Sequence, residues 1–452
     1  MNRKLPRTAA AEALKRILGN GAYSNIIIGN ALDGMTDVTD RALCTRIVMT
    51  AVERAKTLDF VLSPYCRKKP DPTLRALLFT GASQILYMDR IPDSAACDET
   101  VKAAKELTDE KRAKFVNAVL RSVCRDKKSI PAKIDTAPDE IKYSVDASVI
   151  SMLKTQYPEE YSSVLNAFFA EPPLFLRVNT LKISEDKLMC QLENSGCGCE
   201  RRDGFLSVTV GASAALSHVD EGVFYVQGYA SQYAVRMLDA HEGETVIDVC
   251  ACPGGKTLGA AIDMKNNGRI YAFDIHENKL SLIEKAAAKA NITIIETGVN
   301  DGRKPKAELS GVADRVICDV PCSALGVIAT RPEIRYKNVS DLSALVETQY
   351  RILCASAEYL KKGGTLVYST CTFDKNENSL QIKRFMNEHG GFTVAEEKQF
   401  LPDGTADGFY CCKIIKHDCF TSKARYCRHD SRRNKRILCF DRRKAVQSRA
   451  DL

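Results

Sequence analysis

Thr245-Val-Ile-Asp-Val-Cys-Ala-Cys-Pro-Gly-Gly-Lys-Thr257 is the stretch whose reading decides the fold. A short β-forming run ends in an acid, crosses paired glycines and enters a helix-forming segment, Lys256–Met264. Gly254 and Gly255 let the backbone turn sharply and come close to a ligand. The helix that follows offers free N–H groups to a carboxylate or phosphate. Two common phosphate patterns are missing here: neither Gly-x-x-x-x-Gly-Lys-Ser/Thr nor Gly-x-Gly-x-x-Gly occurs.

Strands and helices alternate outward from this point. Arg269–Asp274 is expected as a strand and Glu277–Ala290 as a helix, then Ile292–Glu296 as a strand. Arg315–Asp319 and Gly364–Ser369 continue the strands. Asp341–Lys361 and Asn376–His389 continue the helices, and Phe392–Phe400 and Gly408–Ile415 could close an antiparallel edge. Such alternation implies a doubly wound α/β sheet, Rossmann-like, with ligands at the carboxyl ends of its strands. Asp274 ends the second strand, where an acid can accept both hydroxyls of a ribose. With no pyrophosphate pattern, a nucleoside cofactor fits. Asp301 follows the third strand and either touches such a cofactor or shapes a turn.

Two thiols fall on the same edge. Asp319-Val-Pro-Cys-Ser323 ends the fourth strand and Ser369-Thr-Cys-Thr372 the fifth. Methylation of cytosine at C5 needs this set of groups. C5 is a poor nucleophile until a thiolate adds to C6 and makes it enamine-like. A carboxyl group at N3 assists, and a further base must help release the product. Cys371, Asp319 and Cys322 supply such a set, although spacing alone leaves the order of the two thiols open.

Residues 1–130 read as helical throughout, with breaks at Gly19-Asn-Gly21, Lys69-Pro-Asp-Pro72 and Ile91-Pro-Asp93. A linker is expected over Asp126–Pro138. Residues 140–235 mix a helical stretch with short strands at Leu174–Val178, Phe205–Val210 and Gly222–Val226. Domains are therefore expected at 1–130, 140–235 and 236–416, with a basic tail over 417–452. The formal charge of +8 resides entirely in residues 416–452, so net charge does not mark a nucleic-acid surface on the body. No apolar core follows Met1–Ala10, so no secretory signal is expected. Leu74–Met88 is too short to span a bilayer. The 18 cysteines lack paired metal spacing, and neither a metal nor a disulfide framework is expected.

Asp248–Thr257, Asp319–Ser323 and Ser369–Thr372 closely resemble the motifs of the bacterial RsmB/Sun family of 16S rRNA cytosine-C5 methyltransferases. Ile91–Asp98 and Phe115–Arg121 resemble that family's all-α NusB-like RNA-binding domain. Leu176–Lys182 and Val226–Gln232 resemble its small α+β RNA-recognition subdomain. The resemblance implies a cytoplasmic, monomeric enzyme using S-adenosyl-L-methionine on 16S rRNA or its precursor. Cys250, Ala251, Cys252, Pro253, Gly254, Gly255 and Lys256 would wrap the methionine end of the cofactor. Asp274 would hold the ribose, Asp301 the adenine side, and Asp319 would lie near both cofactor and base. Cys371 would be the nucleophile and Cys322 would assist release. Arg177, Asn179, Lys182 and Arg331 are expected RNA contacts.

Three departures stand out. Cys252 replaces a usual alanine, Gly228 a common acid, and the basic tail runs past the family's usual end. A tRNA cytosine methyltransferase, or a non-catalytic RNA-binding module on the same fold, are the alternatives.

Overall fold

A computed structural model describes residues 5–20 and 24–417. The first part is a set of helices: α1 (Pro6–Asn20), α2 (Ser24–Leu32), α3 (Val38–Glu53), α4 (Ala55–Leu62), α5 (Pro72–Tyr87), α6 (Asp93–Leu107) and α7 (Glu110–Asp126). Their starts carry side-chain caps. Asp37 accepts from the N–H groups of Thr39 and Asp40, and Asp71 from those of Thr73 and Leu74, with Pro72 opening α5. The run Ala76 to Ile85 is buried without interruption, so α5 is the central helix of this domain. Leu14, Ile47, Leu77 and Leu120 meet in its core.

The expected linker is partly structured. α8 (Ile130–Asp135) buries Ile130 against the helical core and packs Ile134 beside it. α9 (Asp139–Lys142), α10 (Ala147–Gln156) and α11 (Tyr161–Ala167) follow. Val149, Leu153 and Phe168 share a core with Leu325, Ile328, Ile334 and Phe373. These helices therefore pack against later segments of the chain, and not into the small sheet's own core.

That small sheet has its own arrangement. β1 (Leu174–Val178), α12 (Glu185–Asn194), β2 (Gly198–Arg202), β3 (Phe205–Val210), α13 (Ala212–Leu216) and β4 (Phe224–Val226) make it, in the antiparallel order β2-β3-β1-β4. Leu176, Val178, Leu188, Leu206 and Phe224 form its core. β2 was not expected, because Gly198-Cys-Glu-Arg-Arg202 is a polar edge strand without apolar alternation.

α14 (Tyr229–Leu238) leads into the large sheet. Its elements are β5 (Thr245–Asp248), α15 (Gly255–Asp263), β6 (Arg269–Asp274), α16 (Glu277–Ala290), β7 (Ile295–Val299), β8 (Ala313–Asp319), α17 (Ser343–Glu358), β9 (Leu360–Thr370), α18 (Ser379–Glu388), β10 (Phe392–Phe400) and β11 (Phe409–Lys416). Strand order is β10-β11-β9-β8-β5-β6-β7, with β11 antiparallel to both neighbours. The order reverses between β5 and β8, which opens a crevice there. β7 begins three residues later than the sequence suggests. Asn291, at φ 59°, ends α16, and Ile292 is spent in the core before pairing starts at Ile270–Ile295. The expected basic tail lies outside the described residues apart from His417. No described helix is long and apolar enough to cross a membrane.

One buried arginine joins three regions. Arg335, fully buried, lies in a 3-10 turn over Pro332–Tyr336. Its guanidinium donates to the carbonyls of Glu53 (2.9 Å), Tyr143 (3.3 Å) and Phe168 (2.8 Å), and it lies over the Phe169 ring. Beside it, the Tyr336 hydroxyl donates to the Val52 carbonyl and accepts the Ala55 N–H. Replacing Arg335 by Met should strand those carbonyls and cost about 3 kcal/mol in urea unfolding. Arg201→Ala, which removes only an exposed ion pair with Glu185 and Asp186, should cost far less. Equal losses would show that Arg335 does not join the regions.

Candidate active site

Parallel strands place their carboxyl ends on one edge, so residues far apart in sequence meet there. Asp248 ends β5, Asp274 ends β6, Asp319 ends β8, and Cys371 follows β9 directly. Gly254 has φ 108°, and a Cβ there would sit 3.2 Å from Ile283 Cγ1. A side chain at Gly254 would thus be strained in backbone and crowded as well. The loop between β5 and α15 is tied to β6 twice. Ala251 N–H donates to the Phe273 carbonyl at 2.7 Å, and Cys252 N–H to Asp274 Oδ2 at 3.2 Å. Asp274 Oδ1 accepts the His276 N–H at 2.9 Å. Both carboxylate oxygens keep lone pairs for a further donor.

Asp248 is 1% exposed. Its Oδ2 accepts from Thr257 Oγ1 at 2.7 Å, while Oδ1 is buried without a hydrogen-bond partner. Burial pushes this carboxyl up to about 7. Asp301 lies beyond β7 and accepts from Nε and Nη2 of Arg303, each at 2.8 Å, which lowers its pKa.

Asp319 is clamped from two sides. Lys256 Nζ donates to Oδ2 at 2.6 Å and Ser369 Oγ to Oδ1 at 2.6 Å. Burial disfavours the Lys256 ammonium, but Asp319 outweighs it and the net pKa is raised. Cys322 and Cys371 are half-buried with their sulfurs 3.2 Å apart. Either sulfur can donate in this contact, which itself lowers Cys371 and raises Cys322. Burial and Asp319 oppose the Cys371 thiolate, while Lys256 and Arg331 favour it.

The loops bearing the thiols are knitted together. Ser323 Oγ and Thr372 Oγ1 lie 2.8 Å apart. Gly326 N–H donates to the Cys371 carbonyl at 3.0 Å, and Gly408 N–H to the Gly326 carbonyl at 2.9 Å.

Three of the four expected RNA contacts have partners within the chain. Arg177 pairs with Asp263 and reaches the Gly259 carbonyl. Asn179, 1% exposed, donates to the carbonyls of Gly222 and Ala290. Lys182 donates to the Lys289 carbonyl at 2.6 Å. These residues fasten the small sheet to α15 and α16. Arg331 alone of the four is exposed, and its charge reaches Cys371. Sequence reasoning missed Tyr225, whose hydroxyl donates to the Gly255 carbonyl at 2.8 Å, and also Glu377 and Asp407. Asp407 Oδ2 lies 3.7 Å from where Gly228 would carry a Cβ, and burial pushes its carboxyl up to about 6. Single acids in turns give no periodic signal that could have found them.

A Cβ on Gly326 would lie 1.8 Å from the Gly408 carbonyl oxygen and 2.9 Å from that of Cys371. Gly326→Ala must therefore move backbone, at a cost of about 2 kcal/mol or more in thermal unfolding. It should also change the alkylation rate of Cys371. Gly390, with nothing within 4 Å of its added Cβ, should accept Ala with little change. Equal behaviour of the two variants would contradict the knitted-loop account.

Comparison with known proteins agrees with this geometry. The family described as 16S rRNA methyltransferase RsmB/F matches residues 235–417, the NusB family matches 4–125, and an RsmF/B-like ferredoxin-like domain matches 148–206. The probable ribosomal RNA small subunit methyltransferase B of Bacillus subtilis (strain 168) is 33% identical, covering 92% of this chain and 100% of its own. The ribosomal RNA small subunit methyltransferase B of Escherichia coli O1:K1 / APEC is 30% identical, covering 91% and 98%. Among solved structures, PH0851 superposes with a TM-score of 0.76 at 24% identity, covering 91% of this chain and 99% of that one. NSun6 from Pyrococcus horikoshii, solved with SFG, gives 0.54 at 22% identity, covering 60% and 98%. Both share the fold. By full-length similarity and by its three domain matches, the chain belongs to the RsmB/F family of 16S rRNA methyltransferases, S-adenosylmethionine-dependent transferases.

Proposed function

We propose that this chain methylates C5 of a cytosine in 16S rRNA through a covalent bond between Cys371 and C6 of the base. The observation that carries the reading is the 3.2 Å thiol pair beside the Lys256–Asp319 ion pair, with Cys371 lowered and Cys322 raised. Only a thiolate adds readily to C6.

The residues present fit S-adenosylmethionine. The loop Cys250–Lys256 offers a backbone cradle at Gly254 that a side chain would crowd. Asp274 keeps lone pairs with which it would hold the ribose, and Asp301 would lie on the adenine side. When bound, the cofactor supplies the electrophilic methyl group. The orphaned Oδ1 of Asp248 lies under the same loop and supports a site built for a polar ligand.

The chain's own residues then act in order. A cytosine turned out of its stack enters beside Asp319. The Cys371 sulfur bonds to C6, and the C5–C6 electron pair becomes available at C5. Asp319, fixed by Lys256 and Ser369, lies against the N3 side of the ring. Once C5 carries the methyl group, its proton passes to a water molecule acting as base, the C5–H electron pair reforms the double bond and Cys371 leaves C6 as a thiolate. Cys322 assists this release.

The test uses purified protein, labelled cofactor and 16S rRNA fragments, with tRNA as comparison. Label in rRNA fragments alone is expected. Label in tRNA alone, or none in either, would overturn the substrate or the activity. Cys371→Ala should lose both methylation and covalent attachment to RNA. Cys322→Ala should let the covalent complex accumulate. The reverse pattern would exchange the two roles.

A further inference from the structure

The two thiols have unlike surroundings. Lys256 and Arg331 bring positive charge to Cys371, and Asp319 faces it as well. Cys322 lies in the Pro321–Ser323 turn, and behind this turn sits Glu377, fully buried. Glu377 Oε2 accepts the Ser323 N–H at 2.8 Å and Gln349 Nε2 at 2.7 Å. The same Gln349 nitrogen donates to the Pro321 carbonyl at 2.9 Å, so the turn is held on both sides of Cys322. Glu377 Oε1 is buried with no hydrogen-bond partner.

A buried carboxylate with an unmatched oxygen is costly. Packing does not demand it. The Tyr368 hydroxyl donates to the Glu377 backbone carbonyl, which any residue would supply. A glutamine of the same size could accept the Ser323 N–H equally well. The charge therefore needs a separate reason. Two donors converging on one oxygen favour the ionised form. Burial, together with the nearby Asp374, opposes it and raises the carboxyl above its ordinary value. The thiol that this charge reaches is Cys322, which it helps to keep protonated.

We propose that Glu377 is a positioning residue that sets the proton order of the thiol pair. Its buried charge holds the proton on Cys322 and leaves the thiolate on Cys371. The proposal rests on the reading of Cys371 as nucleophile and explains how the chain chooses between two adjacent sulfurs. Lys256 and Arg331 favour the Cys371 thiolate against Asp319, while Glu377 acts on Cys322.

Initial-rate alkylation of the intact protein by substoichiometric iodoacetamide, without RNA, tests it. Each thiolate displaces iodide, and peptide mass spectrometry reads how label divides between Cys371 and Cys322. The native protein should favour Cys371 by about tenfold, because the thiolate and not the thiol reacts. Glu377→Gln should bring the ratio several-fold closer to one. Glu377→Asp retains the charge and should retain the preference. An unchanged ratio in Glu377→Gln overturns the proposal, and so does native labelling mainly at Cys322. If Glu377→Gln does not fold, the native ratio and that of Glu377→Asp still decide, since loss of preference in either contradicts it. An RNA adduct at Cys371 with an unchanged ratio in Glu377→Gln removes this proposal alone. An RNA adduct at Cys322 removes the reading beneath it.

Discussion

Parallel pairing of β8 with β9, in the register that sets Asp319 opposite Ser369, is the constraint on which the site depends. That register lets Ser369 reach the Asp319 carboxylate and brings the chain segments after both strands side by side. Three residues past Asp319 comes Cys322, and two past Ser369 comes Cys371. A slip of one residue would turn every side chain of one strand to the other face and separate the sulfurs. The strands are specified by buried runs, Val316 to Cys318 on one and Leu366 to Thr370 on the other. Burial on both faces is what a central parallel strand requires.

The loop after β8 is constrained from its other end by the helical domain. Residues 322–337 carry Cys322, Gly326 and Arg331, then enter the turn that presents Arg335 and Tyr336 to α3, α4 and the segment around Tyr143. Glu333 adds a bond from the Ser24 hydroxyl of α2. The N-terminal domain is thus fastened to the same stretch of backbone that shapes the site. The small sheet is fastened differently, through Arg177, Asn179 and Lys182 onto α15 and α16. Two separate joints therefore hold the helical domain and the small sheet to the large one.

Much of this was legible in the sequence. Leu174–Val178, Phe205–Val210, Arg269–Asp274 and Phe392–Phe400 read correctly as strands because their composition is β-branched or aromatic and turn residues bound them. The strand-end positions of Asp274, Asp319 and Cys371 followed from the alternation of elements. Other features could not be read. β2 is polar, so its place at an edge depends on β3 being there to pair with. The Lys256–Asp319 pair joins different strands and has no local signature. Arg177, Asn179 and Lys182 read as surface charge and turn residues, because nothing local shows that α15 and α16 lie against them. Glu377 falls in the expected helix Asn376–His389, whereas the helix starts at Ser379 and the fold buries Glu377 in the turn before it.

Local chemistry finds two thiols and does not rank them. The most direct test is to give the protein small-subunit RNA containing 5-fluorocytidine, together with S-adenosylmethionine. Fluorine at C5 cannot leave as a proton does, so the covalent complex stays intact for peptide mass spectrometry. The account predicts a single cross-linked peptide, joined at Cys371. A cross-link at Cys322, or no covalent complex with RNA that the native enzyme methylates, would contradict it.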